Sequence, residues 1–336
     1  MDLELLDQTL AAHGEPRFRA EQIWAWAAKG VEGYQQMTNL PSALRETLAQ
    51  ELPFSSLSLS EEVRSSDGTV KALFQTTDSR PIEAVLMRYR DKRRSICVSS
   101  QSGCPLTCTF CATGKMKFAR NLTASEIVDQ ALHFRRIERI DHCVFMGMGE
   151  PLLNLDNVLA ACERLPDVGI THRRTAISTV GWIPGIERLG EQPMPLRLAL
   201  SLHAADEALR SELMPVNDRY PLRDVLDACR AFYERKHRRI FVEYVMLAGV
   251  NDRYQQALSL ARALSGPRES GAGGDSIFKV NLIPFNPTDS PYEGSSRESI
   301  AAFRGALESR DIPVTVRLTR GRDIDAACGQ LAARTA

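Results

Sequence analysis

The sequence predicts an α/β protein: a partial (β/α)6 barrel with a small N-terminal helical domain and a β-hairpin extension. Three observations carry this reading. From residue 94 onward, apolar β-rich runs alternate with helical segments, the pattern of βαβ units that build a parallel sheet. The alternation gives six units, short of the eight that close a full barrel. Ahead of it stand a stretch with helical apolar spacing and two alternating segments joined by a turn.

Taken in order, residues 1–55 form the helical unit. Phe18 to Trp26 carries apolar residues at helical spacing, Leu40-Pro41-Ser42 breaks the chain, and Ala43 to Leu52 resumes a helix. Trp24 and Trp26 read as packing residues. Residues 56–95 change character: Ser66-Asp67-Gly68-Thr69 is a turn signal between alternating segments, hence the hairpin extension. The run Arg88 to Arg94 (Arg-Tyr-Arg-Asp-Lys-Arg-Arg) reads as a solvated face, with an RNA-facing patch as the alternative. Residues 96–318 are the barrel core. Its strands are expected at 95–100, 141–147, 174–179, 196–202, 240–247 and 277–284, and its helices at 123–138, 155–165, 184–190, 221–236, 252–265 and 297–309. The first helix opens on Thr123-Ala124-Ser125-Glu126, a capping box that satisfies free N–H groups. The Gly-rich stretch 270–274 reads as a mobile surface loop. Residues 319–336 form a charged C-terminal segment.

Bulk properties bound the function. The 336 residues suit one large α/β domain with a small appendage. Lys+Arg and Asp+Glu are equal at 42 each, so a nucleic-acid partner would need a local basic surface. The 43% hydrophobic and 25% charged fractions are those of an ordinary soluble globular protein. No apolar run reaches the roughly 18 residues of a membrane span, and the acidic start Met1-Asp2-Leu3-Glu4 is no signal peptide. The expectation is a monomeric cytoplasmic protein without membrane contact. Its eight cysteines then stay reduced and serve as ligands, catalysts or core residues.

The chemistry centres on Ser102 to Gly114, where Cys104, Cys108 and Cys111 stand at C-x3-C-x2-C spacing in a Gly- and Thr-rich loop after the first barrel strand. Soft thiolates favour zinc or iron–sulfur centres. A structural zinc site wants four ligands, and no nearby Cys or His supplies a fourth. A 4Fe–4S cluster held by three cysteines keeps one iron open for an outside ligand. An RNA-binding or zinc-stabilised protein without catalysis is the alternative from a different class.

In a βα barrel, active-site groups gather at the C-terminal ends of the strands. There the sequence places Met146-Gly147-Met148-Gly149-Glu150, Ser178-Thr179, Ser201-Leu202-His203 and Pro284-Phe285-Asn286. Singly, His203 would be a structural histidine and Gly149-Glu150 a turn; together on one rim they form a cofactor pocket. Cys143, Cys162 and Cys229 lie in apolar patterns and read as core residues. Cys97, on the first strand, and Cys328, in the C-terminal segment, differ from them.

These motifs resemble the RlmN/Cfr family of radical S-adenosylmethionine (SAM) RNA methyltransferases. The resemblance spans Phe18 to Leu331. It includes Cys97 to Gln101, the cluster motif, Asn121-Leu122-Thr123, Met146 to Leu153, Ser201-Leu202-His203, Glu243 to Leu247, Asn281 to Pro284 and Asp323 to Leu331. It implies that Cys104, Cys108 and Cys111 hold a 4Fe–4S cluster, and that Gly149, Glu150, Ser178, Ser201, Leu202, His203 and Asn286 contact SAM. It implies that Cys328 becomes the S-methylcysteine intermediate and that Cys97 resolves it through a transient disulfide. Glu83, in Ile82-Glu83-Ala84-Val85, matches the proton acceptor. Arg322 departs from the family, where an acidic residue is common. The implied activity uses two SAM per turnover and an external flavodoxin- or ferredoxin-like electron donor. It methylates carbon 2 of adenine in the peptidyl-transferase loop of 23S rRNA and next to the anticodon in a subset of tRNAs. The alternative is a Cfr-type adenine carbon-8 methyltransferase. The helical unit 1–55 would be an RNA-binding accessory domain.

Overall fold

The computed structural model describes residues 1–265 and 277–333; the stretch expected as a loop over 270–274 lies outside the described residues. Helices α1 (Leu3–Ala12), α2 (Phe18–Ala27) and α3 (Ser42–Glu51) form the N-terminal unit. Asp2 caps α1 by accepting from Leu5 N–H. On α2 the buried stripe Ile23, Trp24 and Ala27 follows the helical period. Trp24 also donates from Nε1 to Asp167 at 2.7 Å, which ties this unit to a barrel helix.

Four strands follow: β1 (Leu57–Arg64), β2 (Val70–Thr76), β3 (Pro81–Arg88) and β4 (Arg94–Cys97). All three pairings among them are antiparallel. The expected hairpin is thus two strands of a three-stranded extension that runs straight into the barrel sheet. The basic run is the β3–β4 turn, closed by Tyr89 and Arg93. Its ends are neutralised: Arg88 and Arg94 both pair with Glu138, the latter at 2.6 Å, while Arg90, Lys92 and Arg93 stay exposed.

The rest alternates. In chain order come β5 (Gln101–Ser102), β6 (Arg120–Asn121), α4 (Ala124–Ile137), β7 (His142–Phe145), α5 (Leu155–Val168), β8 (Thr175–Thr179), α6 (Ile183–Glu191), β9 (Arg197–Ser201), α7 (Glu207–Leu213), α8 (Leu222–Lys236), β10 (Ile240–Met246), α9 (Tyr254–Ser265), β11 (Phe278–Pro284), α10 (Arg297–Glu308) and β12 (Val314–Val316). The sheet order is β1-β2-β3-β4-β7-β8-β9-β10-β11-β12, and every pairing from β4 onward is parallel. The six expected barrel strands are joined by a short seventh, β12. The expected capping box opens α4: Thr123 Oγ1 accepts from Glu126 N–H at 3.2 Å, and Glu126 accepts from Thr123 N–H at 2.9 Å.

Period-2 alternation decides what fills the barrel. On β10, Ile240, Val242, Tyr244 and Met246 are fully buried in the core. The intervening Phe241, Glu243 and Val245 face the lumen. On β11, Phe278, Val280 and Leu282 are core, while Lys279, Asn281 and Ile283 face the lumen. Each fully buried aliphatic or aromatic side chain contributes about 1.5–3 kcal/mol. The outer face therefore supplies the stability that lets the inner face carry polar groups.

Candidate active site

The three-cysteine loop leaves the sheet after β4, and the β5–β6 ribbon closes its base. Gly103 makes the tight entry. Its φ is +72°, and a Cβ there would stand 2.4 Å from Lys117 O. The loop is held from two sides. Thr109 N–H donates to Leu213 O at 3.0 Å, Ala112 N–H donates to Gly329 O at 2.8 Å, and Thr113 Oγ1 donates to Leu331 O at 2.6 Å. Cys104, Cys108 and Cys111 are half-buried and line one cavity of about 150 Å³ at the C-terminal end of the barrel. Burial pushes the Cys104 thiol up to about 12 and Cys108 well above its ordinary value. Thiols so placed ionise only against a bound cation, so the donor set suits a metal centre. The three thiols line one shared space, and soft sulfur ligands grouped this way suit an iron–sulfur cluster.

The same cavity is lined by Gly149, Glu150, Ser178, Ser201 and His203. Gly149 has φ +96°, and a Cβ there would press on the Gln101 side chain at 2.5 Å. Burial raises the Glu150 carboxyl to about 7, although it accepts from Val180 N–H at 3.0 Å and Leu152 N–H at 3.1 Å. A carboxylate this buried is completed by a cation, and the ammonium of an amino-acid group would serve. Ser178 and Ser201 hydroxyls meet at 3.3 Å. His203 holds a left-handed φ of +59° and accepts from Val245 N–H on Nδ1 at 3.0 Å. Burial, with help from Arg210, pushes its pKa down to about 3, so it is a neutral ring with its proton on Nε2. Arg210 on α7 is fully buried and donates to Leu202 O at 3.3 Å and Val180 O at 2.7 Å, stitching two rim loops together.

Two of the expected SAM contacts sit apart from this cavity. The Leu202 side chain is fully buried in the core, and its N–H donates to Glu243 O at 3.0 Å. Asn286 borders a second cavity, donates from Nδ2 to Cys328 O at 3.1 Å, and leaves its buried Oδ1 without a partner.

That second cavity, about 470 Å³, fills the N-terminal half of the lumen. Cys97 lines it, at the end of β4. Cys328 borders both cavities, as do Met146, Ile283 and Leu331. Cys328 is exposed to these internal spaces while protein surrounds it, and that burial pushes its thiol up to about 11. Burial pushes Cys97 up to about 12. Arg317, just past β12, opposes both shifts. Its Nη atoms lie 3.6 Å from Met146 Sδ and its Nε 3.4 Å from Glu243 Oε2. Glu243 lines the upper cavity and takes a 2.8 Å hydrogen bond from Asn281. Neither Arg317, Glu243 nor Arg210 was assigned a role from sequence. Glu243 was findable, because it is the charged residue at a lumen position of an apolar strand.

Glu83 lines neither cavity. It is buried on β3, ion-pairs with Lys71 at 3.2 Å, and accepts from Ala332 and Ala333 N–H at 2.9 Å each. It thus anchors the backbone that follows Cys328. The extension grips the same segment elsewhere: Gly321 N–H donates to Asp67 at 3.1 Å, and Ser66 N–H donates to Asp323 at 3.1 Å.

Residues 98–261 match the Radical SAM superfamily, and residues 1–53 match the Ribosomal RNA large subunit methyltransferase N-terminal domain. A probable dual-specificity RNA methyltransferase RlmN from Chloroflexus aurantiacus is 45% identical, over 99% of this chain and 92% of that protein. One of the same description from Thermus thermophilus is 44% identical, over 98% and 92%. The crystal structure of a radical SAM methyltransferase from Sphaerobacter thermophilus superposes with a TM-score of 0.91 at 44% identity, covering 99% of this chain and 98% of that one. With near-complete coverage at this identity, the chain belongs to the RlmN family of radical SAM RNA methyltransferases.

Proposed function

We propose that the chain methylates carbon 2 of adenine in RNA, in 23S rRNA and in a subset of tRNAs, with Cys328 as methyl carrier and Cys97 as resolving thiol. The observation that carries this reading is the position of Cys328. It borders the cavity of the three-cysteine loop on one side and the cavity of Cys97 on the other. A residue that must receive a group in one place and be released in another needs that position.

Cys104, Cys108 and Cys111 would hold a 4Fe–4S cluster, and Gly149, Glu150, Ser178, Ser201 and His203 would hold SAM beside it. Leu202 would contribute only backbone, and Asn286 would act from the Cys328 side. Together the cluster and SAM supply the methyl group and one-electron chemistry, fed by an external flavodoxin- or ferredoxin-like donor. Glu150 offers its carboxylate to the SAM ammonium. Cys328 would lose its thiol proton and take a methyl group on sulfur; that methyl would give up one hydrogen to the one-electron chemistry, and its carbon would then bond to carbon 2 of the base. A base removes the carbon-2 proton. Glu83 is the carboxylate that the resemblance offers, and a base role requires the tail amides to release it. Cys97 then attacks the Cys328 sulfur: the Cys97–Cys328 disulfide forms, the bond from that sulfur to the methylene carbon breaks, and the freed carbon takes up a proton to become the methyl group of the base. The product disulfide is reduced by thiol exchange with an outside dithiol.

Cys97→Ala tests the scheme. It should retain the cluster and accumulate a covalent protein–RNA adduct through Cys328, seen as a slow-migrating, nuclease-sensitive band. Normal turnover without adduct would make Cys97 an ordinary strand residue.

A further inference from the structure

One buried carboxylate in the lumen has no part in the scheme above. Glu243 sits on β10, where the parallel register sets it beside Ser201 of β9 and Asn281 of β11. It is 2% exposed and lines the same cavity as the three-cysteine loop and Cys328. A charged group so deep is costly unless it is paired and hydrogen-bonded. Its Oε1 is satisfied, because Asn281 Nδ2 donates to it at 2.8 Å. Its Oε2 is not. Arg317 Nε stands 3.4 Å away, close enough for an ion pair, but among the described residues no group donates a hydrogen bond to that oxygen. Arg317 lines the other cavity, with Cys97. Glu243 and its partner therefore stand at the boundary that Cys328 also occupies.

Glu83 is the opposite case. It lines neither cavity, its Oε2 already accepts from Ala332 and Ala333 N–H, and its Oε1 pairs with Lys71 at 3.2 Å. Covalent geometry selects between the two carboxylates. Carbon 2 joins the methyl carbon on the Cys328 sulfur, so it comes to lie two bonds from that sulfur. Its proton can pass only to a base within hydrogen-bond reach, which means one that shares the space around Cys328. The exocyclic amine of adenine lies across the ring from carbon 2. A group beside Cys328 therefore meets the carbon-2 edge first.

We propose that Glu243 takes the carbon-2 proton. Bonding of the methylene carbon leaves the ring a radical whose carbon 2 holds both the new carbon and its hydrogen. Aromaticity returns when one electron and one proton leave. The electron goes to a one-electron acceptor of the iron–sulfur class. The carbon–hydrogen bond breaks, its electron pair stays in the ring, and Glu243 Oε2 takes the proton to become a carboxylic acid. Asn281 holds the other oxygen, and Arg317 sets the direction of the side chain. This rests on the RNA-methylating reading above and names the base that reading requires.

The test uses the cluster-loaded full chain, SAM and an RNA hairpin whose loop adenine carries deuterium at carbon 2. Glu243→Gln keeps an acceptor for Asn281 but cannot serve as the base. It should keep its iron, form S-methylcysteine at Cys328 and accumulate the protein–RNA adduct with deuterium still on carbon 2, while methylated adenosine falls about 100-fold or more. Mass spectrometry of the digested adduct reads the deuterium. Glu83→Gln should trap no deuterated adduct. Glu243→Asp restores a carboxylate one methylene short, and should regain part of the turnover while forming product more slowly from the deuterated hairpin than from the unlabelled one. That isotope effect decides the matter if Glu243→Gln fails to fold, and equal rates on the two hairpins overturn the assignment. Normal methylation by Glu243→Gln overturns it. So does an iron-loaded Glu243→Gln that forms no adduct, or one whose adduct has lost its deuterium. A wild-type protein that neither forms S-methylcysteine nor methylates the hairpin removes instead the reading on which the assignment rests.

Discussion

At the scale of single residues, the Cys97 and Cys328 thiols pose an electrostatic problem. A thiolate attacks and a thiol does not, yet burial holds Cys328 near 11 and Cys97 near 12. Arg317 is the cation acting against both shifts. Removing it takes away the charge that favours the thiolates, so both pKa values rise and less thiolate exists at any given pH. Arg317→Gln should move the pH midpoint of Cys328 alkylation upward, slowing iodoacetamide labelling at pH 8 by about tenfold per pKa unit. Peptide mass spectrometry of unmethylated protein measures this, and an unchanged profile would remove Arg317 from the account. The cysteines were legible in sequence because spacing and context mark them. Arg317 was not, because its importance comes from a fold that brings it to Met146 and Glu243.

At the scale of elements, the C-terminal segment works only because other elements hold it. The three-stranded extension grips it through Asp67, Ser66 and Glu83, and the three-cysteine loop grips it through Ala112 and Thr113. Glu83→Ala should leave two amides and Lys71 without their acceptor, a buried-pair loss of about 3–5 kcal/mol. The tail should then be cleaved faster by trypsin, with little S-methylcysteine formed. Glu83→Gln keeps an acceptor and should hold the tail far better. If Glu83 also takes the carbon-2 proton, that variant should form the adduct but release product slowly. Equal tail cleavage in wild type and both variants would contradict the tether. The main barrel elements were readable because alternation and length mark them. β3 was hidden because its turns lack the usual glycine: Ser79 takes φ +59° and Lys92 takes φ +67°. β12 has three residues and is specified by pairing with β11 rather than by its own pattern.

At the scale of the whole molecule, a chain of zero net charge still places Arg93, Arg173, Arg174, Arg197 and Lys279 around one cavity. No helix among the described residues is long and apolar enough to cross a membrane. The lumen takes its lining from alternate strand positions, with Glu243, Lys279 and Asn281 beside apolar Phe241, Val245 and Ile283, and is divided at Cys328, with a thiol-lined cavity above and a basic one below. Composition could not reveal this, because parity along each strand, rather than residue count, decides which charges share the lumen. The most direct test of the account is nucleoside mass spectrometry of RNA treated with cluster-loaded enzyme and SAM deuterated in its methyl group. The account predicts 2-methyladenosine that has lost part of its deuterium, because the carbon passes through Cys328 and gives up hydrogen there. Methylation at carbon 8, or a methyl group that arrives with all its deuterium, would contradict it.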